Sequence, residues 1–327
     1  MQRRSFVGGV GAAALVASLA AGRSRAADRP YTVALVPGLT TDAFYITMHR
    51  GAAAAARALG VKLVFQGAPA FNPVQQVPVL DAVLARRPDV LLIAPTDKTQ
   101  LIVPLRNAFS SGVPVITVDT YIGTGVYQTG SGNADFPLAY IASNNTLGGA
   151  IAARALAKAI GDRGRVYVSN IEAGVSTTDQ REAGFKQEMA KHPNITVLST
   201  QFNDDDANKA ASQAQSVLAR HSDLVGVFGT NLFSAMGAGN GIQQGGSAGR
   251  VKVVAFDAPQ SIVGNLKSGL VDIAIAQHPA EIGWFGVAAA YAHLTGQSIP
   301  PAIATGFTII DKANVDDPAT KQYLYSE

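Results

Sequence analysis

The chain has 327 residues, 47% hydrophobic and 15% charged, a balance that suits a packed globular protein and excludes disorder. It has no cysteine, which excludes disulfides, thiolate metal sites, a cysteine nucleophile and a lipid-modified N-terminal cysteine. The formal charge of +3 misleads: Arg3, Arg4, Arg23 and Arg25 fall in the first 26 residues with no acid, and subtracting those four leaves −1. Neither nucleic acid nor an anionic membrane surface is therefore expected as a partner.

Residues 1–26 read as a cleaved signal peptide. A charged start, a short Ala/Gly-rich apolar run from Val7 to Gly22 and the small residues of Ser24-Arg25-Ala26 supply its three parts. The paired Arg3-Arg4 points to the twin-arginine route and to a periplasmic location. About 300 mature residues exceed what one core needs, so two domains are expected.

Downstream, short apolar runs alternate with Ala-rich helical stretches. The strand-like runs are Tyr31–Val36, Val61–Phe65, Val90–Ile93, Val113–Val118, Ala139–Ala142, Val166–Val168, Ile195–Ser199, Leu224–Phe228, Val251–Phe256 and Val271–Ala276. Helices are predicted over Phe44–Leu59, Val74–Ala85, Leu147–Ile160, Gln180–Lys191, Asn208–Ala219, Ser234–Gln243 and Ala280–Leu294. This rhythm predicts an α/β fold with parallel sheets covered by helices on both faces, divided into two sheets of five or six strands. The Gly-rich segment 121–138 breaks the rhythm and is either a cleft-side segment or surface decoration.

Nearly every strand-like run exits into polar residues, among them Asp42, Asp97, Asp119, Asn144-Asn145, Glu172, Asn203 to Asp206, Asn231, Asp257 and Gln277. The crevice beyond the carboxyl ends of the strands is where open α/β sheets bind ligands. Asp42, Asp206 and Asn231 also suit helix N-caps, and both readings stay open. Signatures of bond chemistry are missing. No P-loop and no His-Glu-x-x-His occur, and the five histidines lack metal spacing. Thr129-Gly130-Ser131-Gly132 lacks a strand-to-helix setting, and Gly237-Ala238-Gly239-Asn240-Gly241 falls inside a helical stretch, where tight packing explains it.

A set of ordered motifs now stands out: Asp42-Ala43-Phe44-Tyr45, Pro95-Thr96-Asp97, Gly112-Val113-Pro114-Val115-Ile116-Thr117-Val118-Asp119, Ser143-Asn144-Asn145 with Gly148-Gly149, Gln180-Arg181-Glu182, Val227-Phe228-Gly229-Thr230-Asn231, Val254-Ala255-Phe256-Asp257 and Ala276-Gln277-His278-Pro279. With these the chain resembles the periplasmic ribose-type (type I) sugar-binding proteins of ABC transporters, which share their fold with the ligand-binding part of lactose-repressor-like regulators. The resemblance implies two Rossmann-like lobes joined by a three-strand hinge, with a first lobe of 27–143 plus 278–305 and a second of 144–277 plus 306–327. It implies a monomeric, non-catalytic receptor without cofactor or metal. Such a receptor closes on a small sugar or polyol and presents it to a membrane permease; presentation of a sugar or signal molecule to a chemoreceptor or sensor kinase is an alternative output, and a periplasmic sugar-modifying enzyme is the alternative of another class. A regulator would carry a DNA-binding helix-turn-helix where the export signal stands.

Matching positions one at a time, the resemblance implies that Asp42, Phe44, Tyr45, Asp119, Glu172, Arg181, Asp205, Asn231, Asp257 and Gln277 contact the ligand. Aromatics cover the apolar face of a sugar ring while carboxylates and amides bond its hydroxyls. Competing readings are core packing for Phe44 and Tyr45, a surface ion pair with Glu182 or Glu188 for Arg181, and loop bracing for Asn231, Asp257 and Gln277. Thr120, Ala94 and Asp205 stand where ribose binders often carry arginine, asparagine and an aromatic. These departures turn the expectation from ribose toward another pentose, a rarer monosaccharide, a sugar alcohol or an amine-bearing ligand.

Overall fold

The computed structural model describes residues 29–326, so the signal-peptide and twin-arginine readings lie outside the described residues. The chain begins β1 (Thr32–Val36), α1 (Ala43–Leu59), β2 (Lys62–Phe65), α2 (Pro73–Leu84), β3 (Val90–Ile93), α3 (Ile102–Ser110), β4 (Val115–Val118) and β5 (Ala139–Ser143). It continues with α4 (Asn145–Ile160), β6 (Gly164–Asn170), α5 (Ser176–Met189), β7 (Ile195–Val197), β8 (Gln201–Phe202), α6 (Ala207–Arg220), β9 (Leu224–Gly229), α7 (Leu232–Gln244) and β10 (Lys252–Phe256). It ends with α8 (Ile262–Ser268), β11 (Ile273–Gln277), α9 (Pro279–Leu294), β12 (Ala302–Thr305), β13 (Phe307–Asp311) and α10 (Pro318–Lys321).

The strands form two sheets. One is ordered β12-β5-β4-β3-β1-β2; the other is β13-β11-β10-β9-β6-β7, with β8 also on β6. Every pairing is parallel except β11 with β13. All residues of β3 and β4 are buried, as strands covered on both faces must be. In the first lobe, α1 and α9 cover one face of the sheet with a core that includes Met48, Leu92 and Ile282, while α2 and α3 cover the other. In the second, α4 and α5 pack on one face and α6, α7 and α8 on the other.

The sheets put the lobes at 32–143 with 302–305 and at 164–277 with 307–311, and the chain passes between them after β5, after β11 and after β12. α3 does not read as a helix in the sequence because Pro104 stands in its first turn, where the missing N–H costs nothing. The two edge strands β12 and β13 are partly exposed and lack a buried strand's continuous apolar run. Among the described residues, no helix is long and apolar enough to cross a membrane.

Segment 121–138 forms neither helix nor strand, but it is not loose decoration. Tyr121, Ile122, Tyr127, Ala134 and Phe136 are buried in the α2–α3 core. The Tyr127 hydroxyl accepts from Ile122 N at 3.0 Å and from Thr117 Oγ1 at 3.1 Å, and Asp135 accepts from the amides of Thr129 and Gly130. The stretch Gly237 to Gly241 is a packing surface within α7: a Cβ on Gly237 would lie 2.2 Å from the Ala207 carbonyl oxygen of α6.

Candidate functional site

A cavity of about 220 Å³ opens between the lobes at the carboxyl ends of both sheets. At ~30 Å³ per water this holds about seven waters, the scale of one monosaccharide. All ten residues singled out in the sequence line it: Asp42, Phe44, Tyr45 and Asp119 from the first lobe, and Glu172, Arg181, Asp205, Asn231, Asp257 and Gln277 from the second. Asp97 lies elsewhere and caps the turn before α3 through Thr99 N and Gln100 N.

In the first lobe, Asp42 caps α1: its Oδ1 accepts from Phe44 N at 2.8 Å. Capping and cleft lining are thus combined in one carboxylate, because the helix starts at the cavity wall. Loss of hydration pushes Asp42 up to about 6, helped by the charges of Asp257 and Asp205 and opposed by the Phe44 amide. Phe44 and Tyr45 belong to the core and also face the cavity. Their rings meet edge to face, 5.2 Å between centroids.

Asp119 follows β4 with φ of +63°, a left-handed backbone that aspartate tolerates better than most side chains. Its amide bonds Ile141 O and its carbonyl accepts the Tyr140 hydroxyl, so the turn is fixed on both sides. Its Oδ2 accepts the Tyr45 hydroxyl at 2.7 Å. Burial pushes the Asp119 carboxyl up to about 7, with Asp257 and Asp42 adding to the shift and Tyr45 and Arg181 opposing it.

The second lobe is centred on Arg181. Far from lying in a surface ion pair, this side chain is 4% exposed. Its Nε donates to Asn145 Oδ1 at 2.8 Å, one Nη donates to Thr230 O at 2.9 Å, and its guanidinium lies over the Phe256 ring at 4.0 Å from the centroid. The same Nη is 3.9 Å from Asp257 Oδ2. Two glycines bring α4 and α5 close enough for this: a Cβ on Gly149 would stand 1.9 Å from Arg181 O, and one on Gly184 equally close to Thr146 O.

Asp257 follows β10 with φ of +77°, and its amide bonds Ile275 O, the same turn as at Asp119. Its Oδ1 accepts Gln277 Nε2 at 2.8 Å and the Tyr325 hydroxyl at 3.0 Å. The Gln277 Oε1 is buried without a protein partner, an acceptor left over at the cavity wall. Asn231 caps α7 through Ser234 N and donates Nδ2 to Asp205 Oδ1 at 2.7 Å. Lost hydration raises the Asp205 carboxyl, and so does Glu172's charge, while Asn231 offsets part of it. Glu172 itself is exposed at the rim. Of the acidic run, Asp206 caps α6 and only Asp204 and Asp205 reach the cavity.

Thr177, Thr178, Phe71, Leu232, Phe233 and Tyr325 also line the cavity and were not singled out in the sequence. Thr178 lies three residues before Arg181, on the same face of α5, so helical spacing could have found it. Nothing local marks Phe71 or Tyr325. Thr120, at the position of the expected arginine, turns its hydroxyl to Pro95 O at 2.7 Å. Arg181 is the one cation among the described residues that line the cavity, against six carboxylates. No cluster of His, Cys, Asp and Glu among the described residues suits a metal ion. Hydroxyl-donating ligands fit this surplus of acceptors, while the rings of Phe44, Tyr45 and Phe71 offer apolar faces.

A family model described as a periplasmic binding protein domain matches residues 33–298. The ribose import binding protein RbsB of Salmonella typhimurium is 33% identical over 268 residues, 82% of this chain and 86% of that protein. An ABC transporter solute-binding protein from Agrobacterium vitis, solved with bound α-D-tagatopyranose, is 70% identical with a TM-score of 0.89, covering 91% of this chain and all of the other. A carbohydrate transporter solute-binding protein from Agrobacterium radiobacter, solved with D-arabinose, is 28% identical with a TM-score of 0.82 over 91% of this chain and all of its own.

Proposed function

Because the chain belongs to the periplasmic binding protein family, we propose that it is the sugar receptor of an ABC importer and that its preferred ligand is a ketohexose in pyranose form, with D-tagatose the first candidate. The observation that carries this reading is the interlobe cavity, sized for one monosaccharide and walled by aromatic rings, carboxylates and one buried arginine. The 70% identical protein solved with α-D-tagatopyranose narrows the choice of sugar. Asp119, Asp257 and Gln277 Oε1 supply acceptors for ring hydroxyls, Arg181 donates to a ring or anomeric oxygen, and Phe44 and Tyr45 cover a ring face.

In this reading the protein works in the periplasm and performs no bond chemistry. The sugar contacts both lobes at once, so it stabilises the closed hinge, and the permease recognises that closed form. A chemoreceptor would read the same form, and a strain that grows on the sugar without taxis toward it separates the two outputs. Thermal shift and titration calorimetry on the mature chain test the ligand against D-tagatose, D-ribose, D-arabinose, D-allose and sugar alcohols. D-Tagatose at a hundred times its Kd should add about 2.7 kcal/mol of stability. No shift with any sugar, or release of a product from one, would overturn the receptor reading.

A further inference from the structure

The last described residues do something the two-lobe plan does not require. After α10 the chain runs back along the hinge. Tyr325 N donates to Ala258 O at 2.8 Å, tying the tail to the second lobe beside Asp257. The ring then leaves that lobe: it is 1% exposed, sits in the first-lobe core with Phe44, Tyr45 and Met48, and meets Phe44 edge to face at 5.8 Å. One residue on, Ser326 N donates to Thr47 Oγ1 of α1 at 2.7 Å. The tail is thus a fourth link between the lobes, and its ring lines the cavity.

The hydroxyl is placed where it can act on the ligand's partners. It accepts the amide of Gln277 at 2.8 Å and donates to Asp257 Oδ1 at 3.0 Å. With its one proton given to Asp257, the hydroxyl fixes the orientation of this cavity-lining carboxylate, whose Oδ2 lies 3.9 Å from an Arg181 Nη. The bond that the hydroxyl accepts from Gln277 N holds the end of β11, from which the Gln277 side chain reaches Asp257. The first lobe repeats the device: Tyr45 donates to Asp119 across an equivalent left-handed turn. There the tyrosine comes from the helix after the first strand of its own lobe, whereas Tyr325 comes from the chain end.

We propose, resting on the sugar reading above, that Tyr325 is a positioning residue of the sugar site: its hydroxyl orients Asp257 and Gln277 toward the ligand, and its ring makes that alignment depend on the first lobe being closed against the second. Tyr325, two residues before the end of the sequence, therefore belongs to the binding site.

Tyr325→Phe removes the hydroxyl and keeps the ring in its cluster, so the apo melting temperature should move by no more than a few degrees. Affinity for D-tagatose, by calorimetry at a temperature well below melting, should fall at least about tenfold, or about 1.4 kcal/mol. A reading that a merely structural role would not move comes from monodeoxy forms of D-tagatose. For the analogue lacking the hydroxyl that Asp257 accepts, the penalty of Tyr325→Phe should largely vanish, since the misaligned carboxylate then has no ligand partner. Unchanged affinity for D-tagatose, or the same penalty for every analogue, would overturn the role of Tyr325 while leaving the sugar reading intact. Failure of the parent protein to bind any sugar in the panel overturns that reading, and this inference with it.

Discussion

The two walls of the cavity share a plan and differ in how their charges are held. In each lobe one strand, β4 or β10, is followed by an aspartate with positive φ whose amide bonds the next strand and whose carboxylate accepts a tyrosine hydroxyl. In the second lobe that carboxylate also takes Gln277 Nε2 and lies near Arg181. Asp119 has only Tyr45 among its described side-chain partners and sits with Asp42, a second carboxylate raised by burial. Around Asp257 the second wall is thus settled before ligand arrives, although Asp205 nearer Asn231 is also raised by lost hydration. The other is left to be settled by a proton or by the sugar's hydroxyls. The lesson is that a duplicated turn can be made rigid or responsive by what surrounds it.

The sharpest way to break the comparison is to remove the cation. Arg181→Ala strands Asp257, Asn145 and Thr230 O in a buried wall, so unfolding stability should fall by about 2–4 kcal/mol and sugar binding should be lost. Scanning calorimetry with and without D-tagatose measures both; a variant that melts and binds like the parent would return Arg181 to a passive role. Next in size is Gly149→Ala. Its Cβ would meet the Arg181 carbonyl at the α4–α5 contact, and a loss of about 1–3 kcal/mol is expected by denaturant unfolding. No change would mean that the helices separate at no cost.

The responsive wall predicts a pH dependence of definite sign. Folding takes Asp119 from the ordinary carboxylate value of 3.8 to about 7, and Asp42 from 3.8 to about 6. For carboxylates raised by folding, the stability contribution is fully present below the unfolded value and is lost as pH rises to the folded one. Apo stability should therefore fall between pH 4 and 7, by up to about 1.4 kcal/mol per unit for each group, and flatten above 7. Hydroxyl donors bond more strongly to these carboxylates when they are ionised, so sugar affinity should rise from pH 5 to 8 with release of protons. Titration in two buffers of different ionisation heat measures the release, and identical heats would refute it. Asp119→Asn should remove most of the dependence between pH 6 and 7 and weaken the sugar by roughly tenfold, without loss of apo stability at pH 8, where the parent holds a buried charge. The smallest effect should come from Thr120→Ala. Its hydroxyl is already given to Pro95 O, and losing that one bond should cost about 1 kcal/mol in melting, with affinity nearly unchanged.

Much of this site was legible because α/β topology sends the exits of parallel strands toward one rim. Asp119, Asp257 and Gln277 were found as polar residues closing apolar runs, and Arg181 by its place in a motif. The sequence could not say that Asp42 and Asn231 are at once caps and cleft residues. Both readings rest on the same oxygen-bearing side chain at a helix start, and only the helix's position separates them. Phe71 lies in coil before α2 and Tyr325 two residues from the end; neither lies in a periodic stretch that would draw attention.

What the sequence determined by itself was local: the alternation of buried strand and helix, the two-sheet division, the polar exits and a family resemblance carried by ordered motifs. These follow from burial, backbone propensity and capping, which act over a few residues. The tertiary structure alone decided which exits face one another across the hinge, that Arg181 is buried over Phe256 and not paired on a surface, that segment 121–138 fills a core, and that the chain's end returns to the site. Those depend on contacts between residues tens to hundreds of positions apart, whose energies are set by lost hydration and by partners that no local pattern specifies.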